Sequence, residues 1–123
     1  NLFVAQFLGT PPINVMEGRI SDKKLYLSDT PVMDAILPDG EVTVGIRPEG
    51  FTLGGNFLCS LEAVEVMGRD VTIVCKHPAC DMPIRAILEV KEETPLETVS
   101  FGLKPNKVFF FCKDTGKRLY PEA

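Results

Sequence analysis

Glycine and proline, ten of each in 123 residues, interrupt this chain at short intervals. The segments between them are rich in β-branched and aromatic side chains, a pattern typical of strands bounded by turns. Many short strands in about 110 residues favour a barrel or a sandwich. The predicted fold class is therefore all-β, with one or two strands around Gly18 in residues 15–27, and others at 42–46, 51–53, 57–67, 70–76, 84–91 and 108–112.

One segment carries helix signals instead. Residues 29–37 begin with Asp29 and Thr30, either of which can cap a helix, and Pro31 suits a first helical turn. The sequence therefore predicts a short helix over residues 29–37.

The predicted strand at residues 57–67 changes phase in its middle. Apolar or small side chains occupy the odd positions from Phe57 to Ala63, and then the even positions Val64 and Val66. Because side chains in a strand alternate with a period of two, this slip predicts a bulge or sharp bend near Ala63.

An internal repeat relates two parts of the chain. Residues 42–48 (VTVGIRP) and 99–105 (VSFGLKP) match at every position with an offset of 57. Two such halves can interlock into one closed barrel, and closure removes the exposed sheet edges that a small all-β domain must avoid.

The first residues have a different character from the rest. Residues 2–8 are almost entirely apolar, and Gly9, Pro11 and Pro12 then end the segment as at a helix C-terminus. We interpret residues 1–14 as the end of a helix from an upstream domain and its linker, followed by a domain at 15–123. The alternative is a short N-terminal helix of the domain itself. In the isolated chain, the apolar segment is expected to form a homodimer or to exchange between copies.

Composition and charge exclude several classes of function. No run of about 20 apolar residues is present that could span a membrane. The formal net charge of −4 argues against a basic nucleic-acid-binding surface.

Cys75, His77 and Cys80 are the candidate metal ligands, because three soft donors fall within six residues. Only one such group is present, and the alternative is a turn with buried thiols. We therefore expect no bound zinc and four reduced cysteines. No catalytic constellation is recognisable, and residues 115–118 (TGKR) lack the earlier glycine and the Ser or Thr of a phosphate-binding loop.

Four segments, in order along the chain, resemble one known family. They are residues 2–14 (LFVAQFLGTPPIN), 44–49 (VGIRPE), 64–70 (VEVMGRD) and 114–119 (DTGKRL). Together they are similar to the C-terminal regulatory (TOBE) domain in the ATP-binding subunit of maltose-type sugar ABC importers. The run Phe109-Phe110-Phe111 replaces a more polar family sequence, and the extra rings could enlarge a partner surface.

The resemblance implies a fold and a function. The expected fold is an OB-fold-like barrel of the TOBE and molybdate-binding (MOP) kind, built from two related halves, with the end of the ATPase-domain helix before it. The parent chain is expected to use ATP and magnesium for sugar uptake at the inner face of the cell membrane. This chain lacks the ATPase motifs, so neither an activity nor a cofactor is expected for it.

The resemblance also implies partners. They are the upstream ATPase domain, a second copy through the parent ATPase, the membrane subunits and a regulatory protein, but no nucleic acid. We expect Phe3, Phe7, Asn14, Arg47 and Glu49 to form the interdomain docking surface. The alternative function is a TOBE domain that senses a molybdate-like oxyanion, for which the backbone at residues 54–56 (GGN) is the candidate nest.

Overall fold

The computed structural model describes residues 13–89 and 97–121, and these residues form two antiparallel sheets. The strands are β1 (Asn14–Ser21), β2 (Lys24–Leu27), β3 (Thr30–Asp34), β4 (Gly40–Ile46), β5 (Phe51–Met67), β6 (Asp70–Lys76), β7 (Ile84–Glu89), β8 (Thr98–Leu103), β9 (Val108–Cys112) and β10 (Arg118–Leu119). One sheet has the order β10-β9-β4-β1-β2-β3, and the other has the order β7-β6-β5-β8. The all-β prediction is confirmed. The predicted helical segment at residues 2–8 lies outside the described residues.

The core lies between the two sheets, where the apolar faces of the alternating strands meet. Large side chains that are almost completely buried fill it: Phe51, Phe57, Phe101, Phe110, Ile20, Leu25, Leu27, Ile46, Ile73, Ile84 and Val44. Among the described residues, no helix is long and apolar enough to cross a membrane.

Most of the predicted strands are present, with three corrections. The helix predicted at residues 29–37 is wrong, because β3 pairs with β2 there and its Val32 and Met33 pack against the core. Residues 51–53 and 57–67 belong to one strand, β5. The break in residues 15–27 lies at Asp22 and Lys23, both of which have a positive φ, and Gly18 lies inside β1.

Strand β5 contains two irregularities. The pairing of β5 with β6 shifts between Leu61 and Ala63, which confirms the predicted bulge. The pairing with β8 shifts between Leu53 and Phe57, where both residues face Phe101. The second irregularity contains Gly54 and Gly55 and joins the two segments predicted from sequence into a single bent strand.

The repeat corresponds to two strand-turn-strand units that exchange their strands. Each repeat strand, β4 or β8, is followed by a 3-10 turn, at Pro48–Gly50 or Pro105–Lys107, and then by β5 or β9. Strand β4 pairs with β9 and β5 pairs with β8. For the three pairs next to the turns, the two registers become the same when numbers are shifted by 57; further along, the irregularity in β5 displaces its register. The two 3-10 turns, which we call the corners, therefore lie side by side about an approximate twofold axis, as the interlocking of two halves predicts.

Backbone hydrogen bonds between the corners follow the same symmetry. The N–H of Arg47 donates to the carbonyl of Lys107 at 3.1 Å, and the N–H of Lys104 donates to the carbonyl of Gly50 at 2.8 Å. Each turn thus satisfies backbone groups of the other, which fixes their relative position.

Candidate docking surface

Arg47 and Glu49, two of the predicted docking residues, lie at the first corner. The Glu49 carboxylate is 3.6 Å from the Lys107 ammonium of the second corner, and both side chains are partly exposed. An ion pair of this exposure contributes at most about 1 kcal/mol to stability. The sequence identified Glu49, but Lys107 as its partner follows only from the exchange of strands.

Arg47 begins a stack of cations and rings that continues from the end of β4 across β9 to β10. Its guanidinium carbon lies 5.6 Å from the centre of the Phe109 ring, and that of Arg118 lies 4.7 Å from the same ring. Arg118 also lies 4.6 Å from the ring centre of Tyr120, which is 70% exposed. We call these four residues the cation–aromatic ladder. Each such contact contributes roughly 0.5–2 kcal/mol, depending on its exposure.

The two described ranges of the chain differ in charge. Residues 97–121 contain five lysines or arginines and two acidic residues, whereas residues 13–89 contain seven basic and twelve acidic residues. Two of these five basic residues are paired with acidic residues from the other range, Lys107 with Glu49 and Lys113 with Glu17 and Glu41.

A groove of about 400 Å³ lies beside the ladder. Its lining combines apolar and polar side chains, among them Ile36, Pro105, Asn106, Phe109, Arg118 and Pro121. Sequence reasoning missed Arg118 and Tyr120. Strand alternation within residues 108–112 could have placed Phe109 on the outside, because Val108 and Phe110 carry the core pattern.

Asn14 lies inside the domain and joins the two sheets. Its amide nitrogen donates to the carbonyls of Ile46, at 3.1 Å, and of Arg85, at 2.9 Å. Its amide oxygen accepts the N–H of Arg85 at 2.8 Å. The Asn14 side chain thus bonds to the edge of β7 as a neighbouring strand would. Phe3 and Phe7, the remaining predicted docking residues, lie outside the described residues.

The loop between β6 and β7 contains His77 and Cys80 and is hydrogen-bonded to β1. The N–H of Glu17 donates to the carbonyl of Ala79 at 3.0 Å, and the Cys80 thiol donates to the carbonyl of Val15 at 3.1 Å. Both contacts tie the four-stranded sheet to the six-stranded sheet.

Two of the three candidate metal ligands, His77 and Cys80, have other partners in the structure. The His77 Nδ1 accepts the N–H of Ala79 at 3.0 Å, and its ring lies 4.4 Å from that of Phe57. Burial lowers the pKa of His77 and raises the pKa of the Cys75 thiol to about 11. Within residues 13–89 and 97–121, no group of three or more His, Cys, Asp or Glu side chains could hold a metal ion.

The candidate oxyanion nest is a bulge inside β5. A Cβ at Gly55 would collide with the Phe101 carbonyl and the Gly102 backbone, so this glycine permits close contact between β5 and β8. The Asn56 amide donates to the Pro31 carbonyl at 3.3 Å. Gly55 is thus explained by the packing of the two strands, and Gly54 by its positive φ.

Two antiparallel sheets joined by Asn14 and the β6–β7 loop define a small all-β module. The comparisons agree with this class. The chain is 30% identical over 126 residues to an ABC transporter ATP-binding protein of Mycoplasma pneumoniae, the MG187 homolog, over 97% of this chain and 21% of that protein.

Two further relatives are import proteins. The chain is 31% identical over 124 residues to the sn-glycerol-3-phosphate import ATP-binding protein UgpC of Jannaschia sp., over 95% of this chain and 34% of that protein. It is 25% identical over 141 residues to the xylose/arabinose import ATP-binding protein XacJ of Haloferax volcanii, over 98% of this chain and 37% of that protein. No protein-family profile matches the chain.

The chain therefore spans between about a fifth and somewhat more than a third of the length of these relatives. Nearly all of it is similar to part of an ABC transporter ATP-binding protein. The names of the two import proteins refer to glycerol 3-phosphate and to pentose sugars, which does not favour the molybdate-like alternative.

Proposed function

We propose that this chain is the C-terminal regulatory domain of the ATP-binding subunit of an ABC importer for sugars or related polyols. The observation that carries the proposal is the similarity of 95–98% of the chain to part of such subunits. The fold supports it, because two interlocked halves that form two antiparallel sheets fit an OB-fold-like barrel of the TOBE kind.

The parent chain would bind ATP and magnesium and couple ATP hydrolysis to uptake at the inner face of the membrane. It would dimerise, contact the membrane subunits and receive signals from a regulatory protein. The role of this domain would be orientation and signal transfer, without chemistry of its own.

The parentage is tested by the coding sequence immediately upstream of Asn1. The proposal expects a Walker A motif, an LSGGQ signature and a Walker B Asp-Glu pair there, in that order. An upstream sequence without these motifs would overturn the proposal.

We further propose that Arg47 and Glu49 orient the ATPase domain. Their contacts with Phe109 and Lys107 are partly exposed, so replacing both by Ala should lower the stability of this chain by no more than about 1–2 kcal/mol. In the full-length transporter, the same change should reduce the stimulation of ATP hydrolysis by the transported substrate.

The matched control is the second corner, at Lys104 and Asn106, because the repeat gives it the same backbone position. Replacing these two residues by Ala should leave substrate stimulation intact. If the Arg47 and Glu49 variant unfolds the isolated chain but preserves stimulation, the corner is purely structural.

A further inference from the structure

Strand β1 has two different neighbours along one of its edges. On one side β1 pairs with β4 over residues 14–20, whereas on the other side β2 pairs only with residues 19–21. No strand of the described residues pairs with this second edge at residues 14–18. The β6–β7 loop contacts it instead, so this part of the edge is covered by a loop and not by a strand.

Two backbone groups of β1 form hydrogen bonds with this loop. The N–H of Glu17 donates to the Ala79 carbonyl at 3.0 Å, and the Val15 carbonyl accepts from the Cys80 thiol at 3.1 Å. A thiol is a weak donor, so one of the two bonds is weaker than the amide bonds of a strand pairing. The edge of β1 is therefore held less firmly here than an edge that is paired with a strand.

Asn14 makes the neighbouring contact, with β7. Its amide bonds to the N–H and the carbonyl of Arg85, at 2.8 and 2.9 Å, and also to the carbonyl of Ile46 at the end of β4. One side chain thus connects β4 with the outer edge of β7, which is the last strand of its sheet. We call residues 14–17, the loop at 77–83 and Arg85 the latch, because their hydrogen bonds join the two sheets.

The loop of the latch is less buried than the strands on either side of it. Ile73 and Ile84, in those strands, are at most 1% exposed. In the loop, a cavity of about 430 Å³ adjoins Cys80, and four residues are exposed: Pro78, Asp81, Met82 and Pro83. Segments with few buried apolar contacts open at a lower free energy than core strands do.

We propose that the hydrogen bonds of the latch break together while the strand pairings of both sheets remain, and that the latch links the chain before Asn14 to the β6–β7 loop. Because the Asn14 side chain is bonded to both β4 and β7, a displacement of the chain that precedes it reaches the second sheet through this one side chain. Opening exposes the Cys80 thiol and the edge of β1.

The inference rests on the proposed function only for the source of the displacement, which would be the ATPase domain. The opening itself is a property of the 123-residue chain. A latch that does not open would therefore leave the parentage of the chain untouched, and an upstream sequence without ATPase motifs would leave the opening untouched.

Hydrogen exchange of the 123-residue chain at several low urea concentrations tests the opening. We expect the amides of Glu17 and Arg85 to exchange through openings of equal free energy that do not change with urea, because a small opening exposes little surface. The amides of Val44 and Ile73, in paired strands, should exchange at least about 100-fold more slowly and should depend on urea.

Two results would overturn the proposal. If Glu17 and Arg85 show the same urea dependence as Val44, the latch opens only when the whole domain unfolds. If the amides of Glu17 and Arg85 open with different free energies, the latch is not one unit.

A variant tests the link between Asn14 and the loop. In Asn14→Ala, iodoacetamide should modify Cys80 at least about 10-fold faster than in the parent chain, because the loop loses its connection to β4. Cys80 should still react well before Cys59, which is buried in the core. The matched control is Asn56→Ala, which removes one exposed amide bond elsewhere and should leave the Cys80 rate unchanged. An unchanged Cys80 rate in Asn14→Ala, or reaction of Cys80 and Cys59 together, contradicts the latch.

Discussion

Asn14 satisfies backbone groups of two different strands with one short side chain. It is 7% exposed, and its three hydrogen bonds join the start of β1 to Ile46 and to the edge of β7. Removing one partner of a buried hydrogen bond leaves the other without compensation for its lost hydration. A single amide thus takes the place of a strand pairing between the sheets.

We therefore expect Asn14→Ala to destabilise the domain by about 2–3 kcal/mol, which lowers Tm by roughly 10 °C in a domain of this size. Thermal unfolding followed by circular dichroism checks this. The control is Asn56→Ala, which removes one exposed bond to Pro31 and should change stability by less than about 1 kcal/mol. Equal effects of the two substitutions would contradict the role assigned to Asn14.

The four cysteines are unbridged and differ in their surroundings. Burial raises the pKa of the Cys59 thiol to about 12. At Cys112, the hydroxyl of Thr115 and the N–H groups of Thr115 and Asp114 hydrogen-bond the sulfur and lower its pKa. Because the thiolate is the reactive form, Cys112 has the larger reactive fraction near pH 7.

Alkylation of the native protein with iodoacetamide should thus modify Cys112 first, and Cys59 and Cys75 much later. Thr115→Ala should slow the reaction at Cys112, because it removes the hydroxyl donor. Peptide mass spectrometry over time measures both effects, with Thr98→Ala as the control. If all four cysteines react at the same rate in the native protein, the burial of Cys59 and Cys75 is wrong.

At the scale of elements, β5 depends on two adjacent glycines with different roles. Gly54 has a φ of +91° and open space where a Cβ would lie, whereas Gly55 lies against the backbone of β8. A side chain at Gly54 would only strain the backbone, because its φ is positive. A side chain at Gly55 would have to displace the paired strand β8. The bend of β5 therefore depends on close contact between strands as well as on backbone conformation.

We expect Gly55→Ala to destabilise the protein by more than about 3 kcal/mol, because neither strand can move without losing pairing. Gly54→Ala should cost about 1–2 kcal/mol through its positive φ alone. Urea unfolding of the two variants measures the difference. A larger effect at Gly54 would show that the bend is controlled by local conformation.

The whole molecule should lose stability in mild alkali. Burial keeps the Cys59 and Cys75 thiols protonated, with pKa values of about 12 and about 11, whereas an unfolded thiol ionises near 8.5. Above pH 8.5 the unfolded chain therefore binds fewer protons than the folded protein, and the unfolding free energy falls as the pH rises.

Between pH 9 and 10 the two thiols should lower the unfolding free energy by up to about 2–3 kcal/mol. Urea midpoints at several pH values measure this slope. Cys59→Ala should make the slope shallower, whatever its effect on stability at pH 7, since one titrating group is removed. If the unfolding free energy of Cys59→Ala depends on pH as steeply as that of the parent chain, the buried Cys59 thiol is not a cause of the alkaline destabilisation.

Much of the fold could be predicted from local patterns. The strands at residues 42–46, 70–76 and 108–112, the bulge near Ala63 and the interlocked halves follow from alternation and from the repeat, since burial on one sheet face imposes a period of two. The helix predicted at residues 29–37 is wrong because pairing of β3 with β2 outweighs a capping signal worth about 1 kcal/mol.

The candidate docking surface was only partly predictable. Arg47 and Glu49 were identified from a short motif, and the structure places both at the corner beside Lys107 and Phe109. Arg118 and Tyr120 were not predicted, because only the pairing of β10 with β9 brings them close to Phe109. Both residues are far from Arg47 in the sequence, so no local pattern connects them with it.

The all-β class, the turns and the twofold repeat are local properties of the chain, because they depend on side-chain periodicity, on the conformational freedom of glycine and on the fixed φ of proline. Which strand edges pair, how Asn14 joins the two sheets, and which cations lie against Phe109 follow from the three-dimensional arrangement alone. The physical reason is that hydrogen bonds and buried contacts between residues more than 30 positions apart carry no local signature. They form only when the two halves exchange strands and bring distant groups within a few ångströms.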